Sequence, residues 1–262
     1  MTRERQPTPR TPRAPRVALV IPARLGSSRF PGKALVEING HPLIYYVWRE
    51  ALKVKRASRV VIASDSREIL TTAKSFGAET IRTSARLRNG TERTAEVASR
   101  ISADIFINVQ GDTAIYRASW IDRAIEDMLA RRSEFHTLAI PITQDESLFN
   151  PAVVKVAIGK VDDQARALWF SRYPIPFVRD AKGGAKTWLK IAKFWRHIGI
   201  YLYTRHGLAQ YSGQPMGAIE RAESLEQMRI LEAGWTMGVT LVRGRAVSVD
   251  SPRDIAVVER YL

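Results

Sequence analysis

The sequence predicts an α/β fold: a mostly parallel sheet with helices on both faces, and a smaller antiparallel lobe at about 145–220. Three observations predict it. Near-continuous apolar runs read as strands buried on both faces: VALVI from Val17, RVVIAS (59–64), DIFINV (104–109) and HTLAIPI (136–142). Segments of helical spacing alternate with these runs, which gives a parallel sheet. From about residue 145 the alternation loosens, and VVKVAI (153–158), RALWFS (166–171) and HIGIYLY (197–203) read as antiparallel strands.

Each element follows in order. Residues 1–15, rich in Pro and Arg, bury too little apolar surface to offset their ordering entropy and are expected to be a disordered basic tail. The first strand ends at Pro22, and the loop ARLGSSRFPGK leads to a helix over His41–Lys55. Helices are expected over Ser66–Phe76, Thr91–Ile101 and Tyr116–Arg131, and a short strand over Glu79–Arg82. A surface loop is expected at Lys182-Gly183-Gly184, within a Lys- and Gly-rich stretch at 181–193. A helix over about Ala222–Ala233 and a strand near Val239–Val242 follow. Ser251-Pro252-Arg253-Asp254 marks a last helix start: a Ser cap, a Pro at the first helical position and an acid at the third. Residues 16–262 form one domain in this reading.

Composition narrows the chemistry. With no cysteine, there are no disulfides, thiolate metal sites or cysteine nucleophiles. That fits a reducing, cytoplasmic setting, and any metal falls to oxygen ligands or the four histidines, which favours a hard ion such as Mg²⁺. No apolar run approaches the roughly 20 residues of a membrane span, and the N-terminus lacks the apolar core of a secretory signal. The net charge of +15 points to an anionic partner or to a basic solvated surface. No basic run interleaves with aromatics, so nucleic acid is not the expected substrate.

Two loops carry candidate chemistry. Pro22-Ala23-Arg24-Leu25-Gly26-Ser27-Ser28-Arg29-Phe30-Pro31-Gly32-Lys33 combines glycines, hydroxyls, two Arg and a Lys. It reads either as a polyanion cradle or as an ordinary exposed strand-to-helix loop, and it is not a Walker A motif because Ala34 follows the Lys. Asn108-Val109-Gln110-Gly111-Asp112 ends a buried strand, where ligands of such sheets bind. Asp112 alone reads equally as a helix cap or as a metal ligand. A second carboxylate, Asp250, also follows an apolar stretch, and two such acids suit Mg²⁺ shared with phosphate oxygens. On the 222–233 helix, Glu223, Glu226, Gln227 and Ile230 are expected to share one face.

Seven motifs then occur in one order: Arg24–Lys33, NGTERTAEV (89–97), NVQGD (108–112), FSRYPIPFVRD (170–180), RHIGIYLY (196–203), IERAESLEQMR (219–229) and VDSPRDI (249–255). Together the chain resembles the 3-deoxy-manno-octulosonate (Kdo) cytidylyltransferases over nearly everything after Val17. The resemblance implies a nucleotide-diphospho-sugar transferase-like fold, a homodimer, CTP and an acidic sugar as substrates, and Mg²⁺ as cofactor. It implies a nucleotide site at Pro22, Ala23, Arg24, Lys33, Asn89, Gly90, Thr91, Glu92, Arg93 and Gly111. Metal carboxylates fall at Asp112 and Asp250, and catalytic positions at Asp112, Asp250, Lys33 and Arg24. It places sugar contacts at Arg29, Gln110, Arg172, Arg179, His197, Tyr201, Glu226 and Gln227. His197, taken from the residues alone, reads as a satisfied core histidine.

Departures from the family pattern bear on the acceptor. Thr113-Ala114 stands where the family reads Glu-Pro, Arg86 and Arg88 lie beside the nucleotide segment, and Leu202 replaces a glycine. The expected reaction is attack by the acceptor's anomeric hydroxyl on the α-phosphorus of CTP with loss of pyrophosphate. The competing readings are transfer to another acidic acceptor (an amino-Kdo, another ulosonic acid or a phosphonate), a nucleotide-sugar glycosyltransferase, and a basic nucleic-acid-binding protein. The lack of an Asp-x-Asp motif after Gly111 argues against the glycosyltransferase.

Overall fold

The computed structural model describes residues 13–26, 30–161 and 164–262. Most of the basic tail, together with Ser27, Ser28 and Arg29, lies outside the described residues.

In chain order the first half contains β1 (Val17–Ala23), β2 (Glu37–Ile38), β3 (His41–Pro42), α1 (Leu43–Ala51), β4 (Arg59–Ser64), α2 (Arg67–Ser75) and β5 (Glu79–Arg82). Then come α3 (Gly90–Ala98), β6 (Ile105–Val109), β7 (Thr113–Ile115), α4 (Ala118–Arg131) and β8 (Phe135–Pro141). The second half adds α5 (Asp145–Phe149), β9 (Lys155–Val161), β10 (Gln164–Ser171), α6 (Ala185–Ile191), β11 (Trp195–Thr204) and α7 (Arg205–Gly213). It closes with α8 (Ala218–Glu223), α9 (Met228–Glu232), β12 (Met237–Leu241), β13 (Val247–Ser248) and α10 (Arg253–Glu259).

Nine strands form the main sheet in the order β5-β4-β1-β6-β11-β8-β12-β10-β9. The first half pairs in parallel, β4 with β5 and β1 with both β4 and β6. β11 then enters antiparallel between β6 and β8, and β10 and β9 extend the same sheet antiparallel at the far edge. The expected α/β architecture therefore stands.

Strand alternation explains the two layers. In β1, Val17, Leu19 and Ile21 pack with α1, α2 and α4, whereas Ala18 and Val20 pack on the opposite side with α3, α7 and α9. Each fully buried Val, Leu or Ile contributes roughly 1.5–3 kcal/mol. A helix cap contributes about 1 kcal/mol, so apolar alternation rather than capping fixes the register. Ser66, placed inside the expected helix, instead caps it and accepts from the Ile69 N–H at 3.3 Å.

Several element bounds differ from the sequence reading. His41 and Pro42 pair with β2 instead of opening the helix, because Pro42 supplies the extended residue before Leu43. A helix occupies 185–191 within the Lys- and Gly-rich stretch, following the expected turn at Lys182–Gly184. The expected 222–233 helix is broken at Ser224, which takes φ 51° in the left-handed region. The shared face proposed for Glu223, Glu226, Gln227 and Ile230 therefore does not exist. Glu223 turns to Ser171 and Arg172 instead. At the last helix the expected Ser251 cap does not form: Pro252 stands at the cap position, and Asp254 in the first turn accepts from the Ser251 hydroxyl at 3.0 Å and from the backbone N–H groups of Asp250 and Ser251, at 2.9 and 2.7 Å.

Candidate active site

The cleft lies where the strand order reverses. The chain runs from β1 out to β4 and β5, then returns to β6 on the other side of β1, and ligands of such sheets sit at the carboxyl ends there. The two rims are locked together by Gly111, whose N–H donates to Pro22 O at 3.2 Å. A Cβ at Gly111 would lie 2.9 Å from that same carbonyl, so this approach needs a glycine. On the other rim Gly32, at φ 71°, turns the chain into a single 3₁₀ turn that carries Lys33 inward.

Lys33 forms an ion pair with Asp112 and donates to Val249 O at 3.3 Å. The Val249 N–H donates back to Asp112 O at 2.9 Å, and β13 pairs with β7 through Ser248 and Thr113. Sequence-distant Asp112 and Asp250 thus sit on adjoining segments. Asp112 caps no helix, since β7 follows it and α4 begins only at Ala118. Asp250 acts electrostatically on Arg196, opposing the burial that lowers that guanidinium's pKa. Thr113 and Ala114 are buried in the β7–β13 pair, a position where a proline's missing N–H and fixed φ suit a strand poorly.

The cleft has a volume of about 590 Å³, within the range of small-ligand sites. Its nucleotide side is the N-terminus of α3. Asn89 caps that helix by accepting from the Glu92 N–H at 2.8 Å, and donates to the Tyr211 hydroxyl at 3.2 Å. Arg24 lines the opening and donates to Arg88 O at 3.2 Å. Arg93 is buried, held by Asp65 at 3.0 Å and by Thr83. Arg88 and Arg229 both pair with Glu92; burial opposes them, but the arginines prevail and hold its pKa low. Arg24, Arg88, Arg93, Arg172 and Arg221 all line the cleft, a field suited to a polyphosphate.

The opposite side is polar and desolvated. Glu226 accepts from the Thr91 N–H at the start of α3 and from the Gln110 amide, both at 3.0 Å. Burial raises its pKa, with the Thr91 N–H opposing. A Cβ at Gly90 would fall 2.5 Å from Gln110 Nε2, so a larger residue there would displace the Gln110 amide. Tyr201 donates to Gln227 Oε1 at 3.1 Å, and burial keeps this phenol protonated. Gln227 Nε2 and both side-chain atoms of Asn108 are buried with no partner among the described residues. Such atoms carry a desolvation cost that a bound hydroxyl or water removes.

Of the residues the resemblance implied, Pro22, Ala23, Arg24, Asn89, Gly90, Arg93, Gln110, Asp112, Arg172, Tyr201, Glu226 and Gln227 line this cleft. Lys33, Gly111, Thr91 and Glu92 brace it through the contacts above. Asp250 is not among the lining residues and adjoins the cleft through its neighbour Val249, and the structure does not bring two others to it. His197 is buried against Thr137 Oγ1 at 2.9 Å and meets Phe170 edge to face, and burial lowers its pKa to about 3. Arg179 is exposed and outside the lining. Arg29 lies outside the described residues.

Sequence reasoning missed three contributors. Tyr211 arrives on α7, a helix not expected. Arg229 sits over the Tyr211 ring at 4.3 Å and binds both oxygens of Glu220 at 2.7 Å. Lys155 is wholly buried in β9, and its signal was visible as a lone Lys inside an apolar strand.

Residues 18–241 match the family model described as cytidylyltransferase. The chain is 40% identical over 247 residues to a 3-deoxy-manno-octulosonate cytidylyltransferase of Chlorobium limicola, covering 93% of this chain and 96% of that one. It is also 40% identical over 249 residues to the enzyme of that name from Haemophilus ducreyi, covering 93% and 97%. Among solved structures it superposes on a CMP:2-keto-3-deoxy-manno-octonic acid synthetase complexed with CTP. That match has a TM-score of 0.84 at 34% identity, covering 94% of this chain and 100% of the other. A 4-diphosphocytidyl-2C-methyl-D-erythritol synthase from Anaerococcus prevotii (TM-score 0.61, 8% identity, 95% and 99% covered) shares the fold. With its rims, carboxylates and arginines in these places and these relatives over nearly its whole length, the chain belongs to the cytidylyltransferase family.

Proposed function

We propose that this protein transfers CMP from CTP to the anomeric hydroxyl of Kdo, releasing pyrophosphate. The observation that carries the reading is the joining, at the switch point, of the Lys33–Asp112 and Asp250 segments to the arginine-lined cleft. Relatives named for this reaction, and a similar structure holding CTP, support it.

The hydroxyl oxygen bonds to the α-phosphorus while the bond to the β-phosphate bridging oxygen breaks and the hydroxyl proton leaves. Catalysis of this kind is mainly positioning and charge stabilisation. Arg24 and Lys33 bind the β- and γ-phosphates and offset the charge that builds on the leaving group. The α3 N-terminus and Asn89 hold the nucleoside. Gln110, Tyr201 and Gln227 orient the acceptor's hydroxyls, and Arg172 directs N–H groups at its carboxylate.

Asp112 and Asp250 fit a hard divalent ion. They offer oxygen donors only, and Asp112 already accepts a cation in the Lys33 ammonium. A Mg²⁺ ion held by them would supply charge neutralisation to the reacting phosphates. The segment around Leu168, Trp169, Tyr173 and Phe177, with large apolar side chains exposed, supports a homodimer. No helix among the described residues is long and apolar enough to cross a membrane, in keeping with a cytoplasmic enzyme. Burial of Thr113 and Ala114 keeps that departure away from the acceptor, which favours Kdo over the other acids.

The test is pyrophosphate release with Mg²⁺ and CTP, with and without Kdo, against ATP, GTP and UTP. Release that requires both CTP and Kdo supports the reading. Tight CTP binding without release moves the acceptor to another acid.

A further inference from the structure

We infer that Lys155, to which the proposed reaction assigns no part, is a positioning residue that shapes the acceptor wall of the cleft together with Arg172. The inference rests on the acceptor side proposed above.

The Lys155 side chain has 0% exposure, and a buried ammonium persists only where its donors are met. Its three N–H groups donate to backbone carbonyls alone: Asn150 O at 2.8 Å, Val153 O at 2.7 Å and Arg172 O at 2.6 Å. The guanidinium of Arg172 donates to three more: Glu223 O at 2.7 Å, Pro151 O at 2.9 Å and Ser224 O at 3.3 Å. Residues 150–153 and Ser224 belong to no helix or strand, and Ser224 is left-handed. Their carbonyls are gathered by two cations instead of by a ladder. These segments place Ala152, Val154, Arg172 and Ser224 on the cleft surface.

Charge points the same way. The groups acting on the Lys155 ammonium are Arg172, which repels it, and Glu223, which attracts it. The Glu223 carboxylate is engaged by Ser171 Oγ at 2.6 Å and the Arg172 N–H at 2.9 Å. Among these three groups the balance is positive, which matches an acceptor whose carboxylate meets Arg172. Three of the five N–H groups of Arg172 are spent on carbonyls, and two remain for a ligand.

The experiment is steady-state kinetics of wild type, K155M and K155Q with CTP, Mg²⁺, Kdo and the neutral 1-carboxamide of Kdo, alongside thermal melts. For folded K155M the expected result is a rise of about tenfold or more in the Kdo KM, with the CTP KM within about twofold. The preference for Kdo over its carboxamide falls as well. Equal rises in both KM values, or an unchanged Kdo KM, overturn the inference. If K155M is not recovered folded, K155Q keeps two donors without the charge and is read by the same criteria. If neither folds, Lys155 serves folding instead, and the inference falls. Absence of pyrophosphate release by the wild type with CTP and Kdo overturns the proposed function itself, and is thus distinguished from a failure confined to the variants.

Discussion

Lys33 and Asp112 form an ion pair across the two rims of the cleft, one from the loop after β1 and one from the end of β6. A positive partner is therefore already matched to Asp112, and in the proposed reaction a divalent ion would take the place of that lysine, leaving Lys33 for the phosphates. Asp112→Ala is expected to abolish turnover while CTP still binds detectably. Loss of a metal ligand should cost several kcal/mol, on the order of a hundredfold or more in kcat. Titration of CTP against the variant, together with its rate, checks this, and retention of more than roughly a tenth of the wild-type rate would refute the metal assignment.

Gly111→Ala should harm both fold and rate. Its Cβ would meet Pro22 O at 2.9 Å, and neither strand end yields easily. Overpacking of this kind costs about 1–3 kcal/mol, read as a fall in urea midpoint, and kcat should fall with it because Asp112 shifts.

Glu226→Gln separates stability from activity. Burial raises the Glu226 pKa, so its ionisation subtracts from stability as pH rises through the carboxylate range. The glutamine keeps an acceptor for Thr91, and a flip of the Gln110 amide satisfies its new donor. The variant should be as stable as wild type at neutral pH, or more so, and should lose that advantage toward low pH. If Glu226 also accepts from the acceptor, kcat/KM for Kdo falls while the CTP KM holds. A variant less stable than wild type at neutral pH would show that this carboxylate's ionisation is favourable in the fold.

His136 and His197 set an acid limit. Burial holds both imidazoles neutral, with pKa values lowered from 6.5 to about 3, and Arg131 and Arg196 add to the effect. Their contribution is therefore complete above pH 6.5 and is lost as pH falls toward 3. Between those limits each should give a slope of about 1.4 kcal/mol per pH unit. Urea unfolding from pH 4 to 7 should show it, and His197→Asn should flatten it. An unchanged slope would mean that the imidazole is not held neutral in the fold.

Legibility in the sequence followed the physics of each feature. Apolar runs such as VALVI and DIFINV revealed β1 and β6, because burial on both faces leaves an unbroken signal. The two rims followed, since ligands bind beyond carboxyl ends of strands. The break at Ser224 was hidden, because periodicity cannot reveal one left-handed residue in a helical pattern. Even so, Glu226 and Gln227 reach the cleft by a different backbone path. The position of His197 inside an apolar strand was the better guide to its place than the motif was. β7 and β13 were unreadable as pairs of two or three residues whose pairing is set only by the tertiary fold.

The most direct test of the central claim is mass spectrometry of the products formed from CTP and Kdo with Mg²⁺, with pyrophosphate measured in the same reaction. The account predicts a CMP-Kdo phosphodiester formed in equal amount to pyrophosphate, absent when either substrate or Mg²⁺ is withheld. Inorganic phosphate with CDP, or no product at all from folded enzyme that binds CTP, would contradict it.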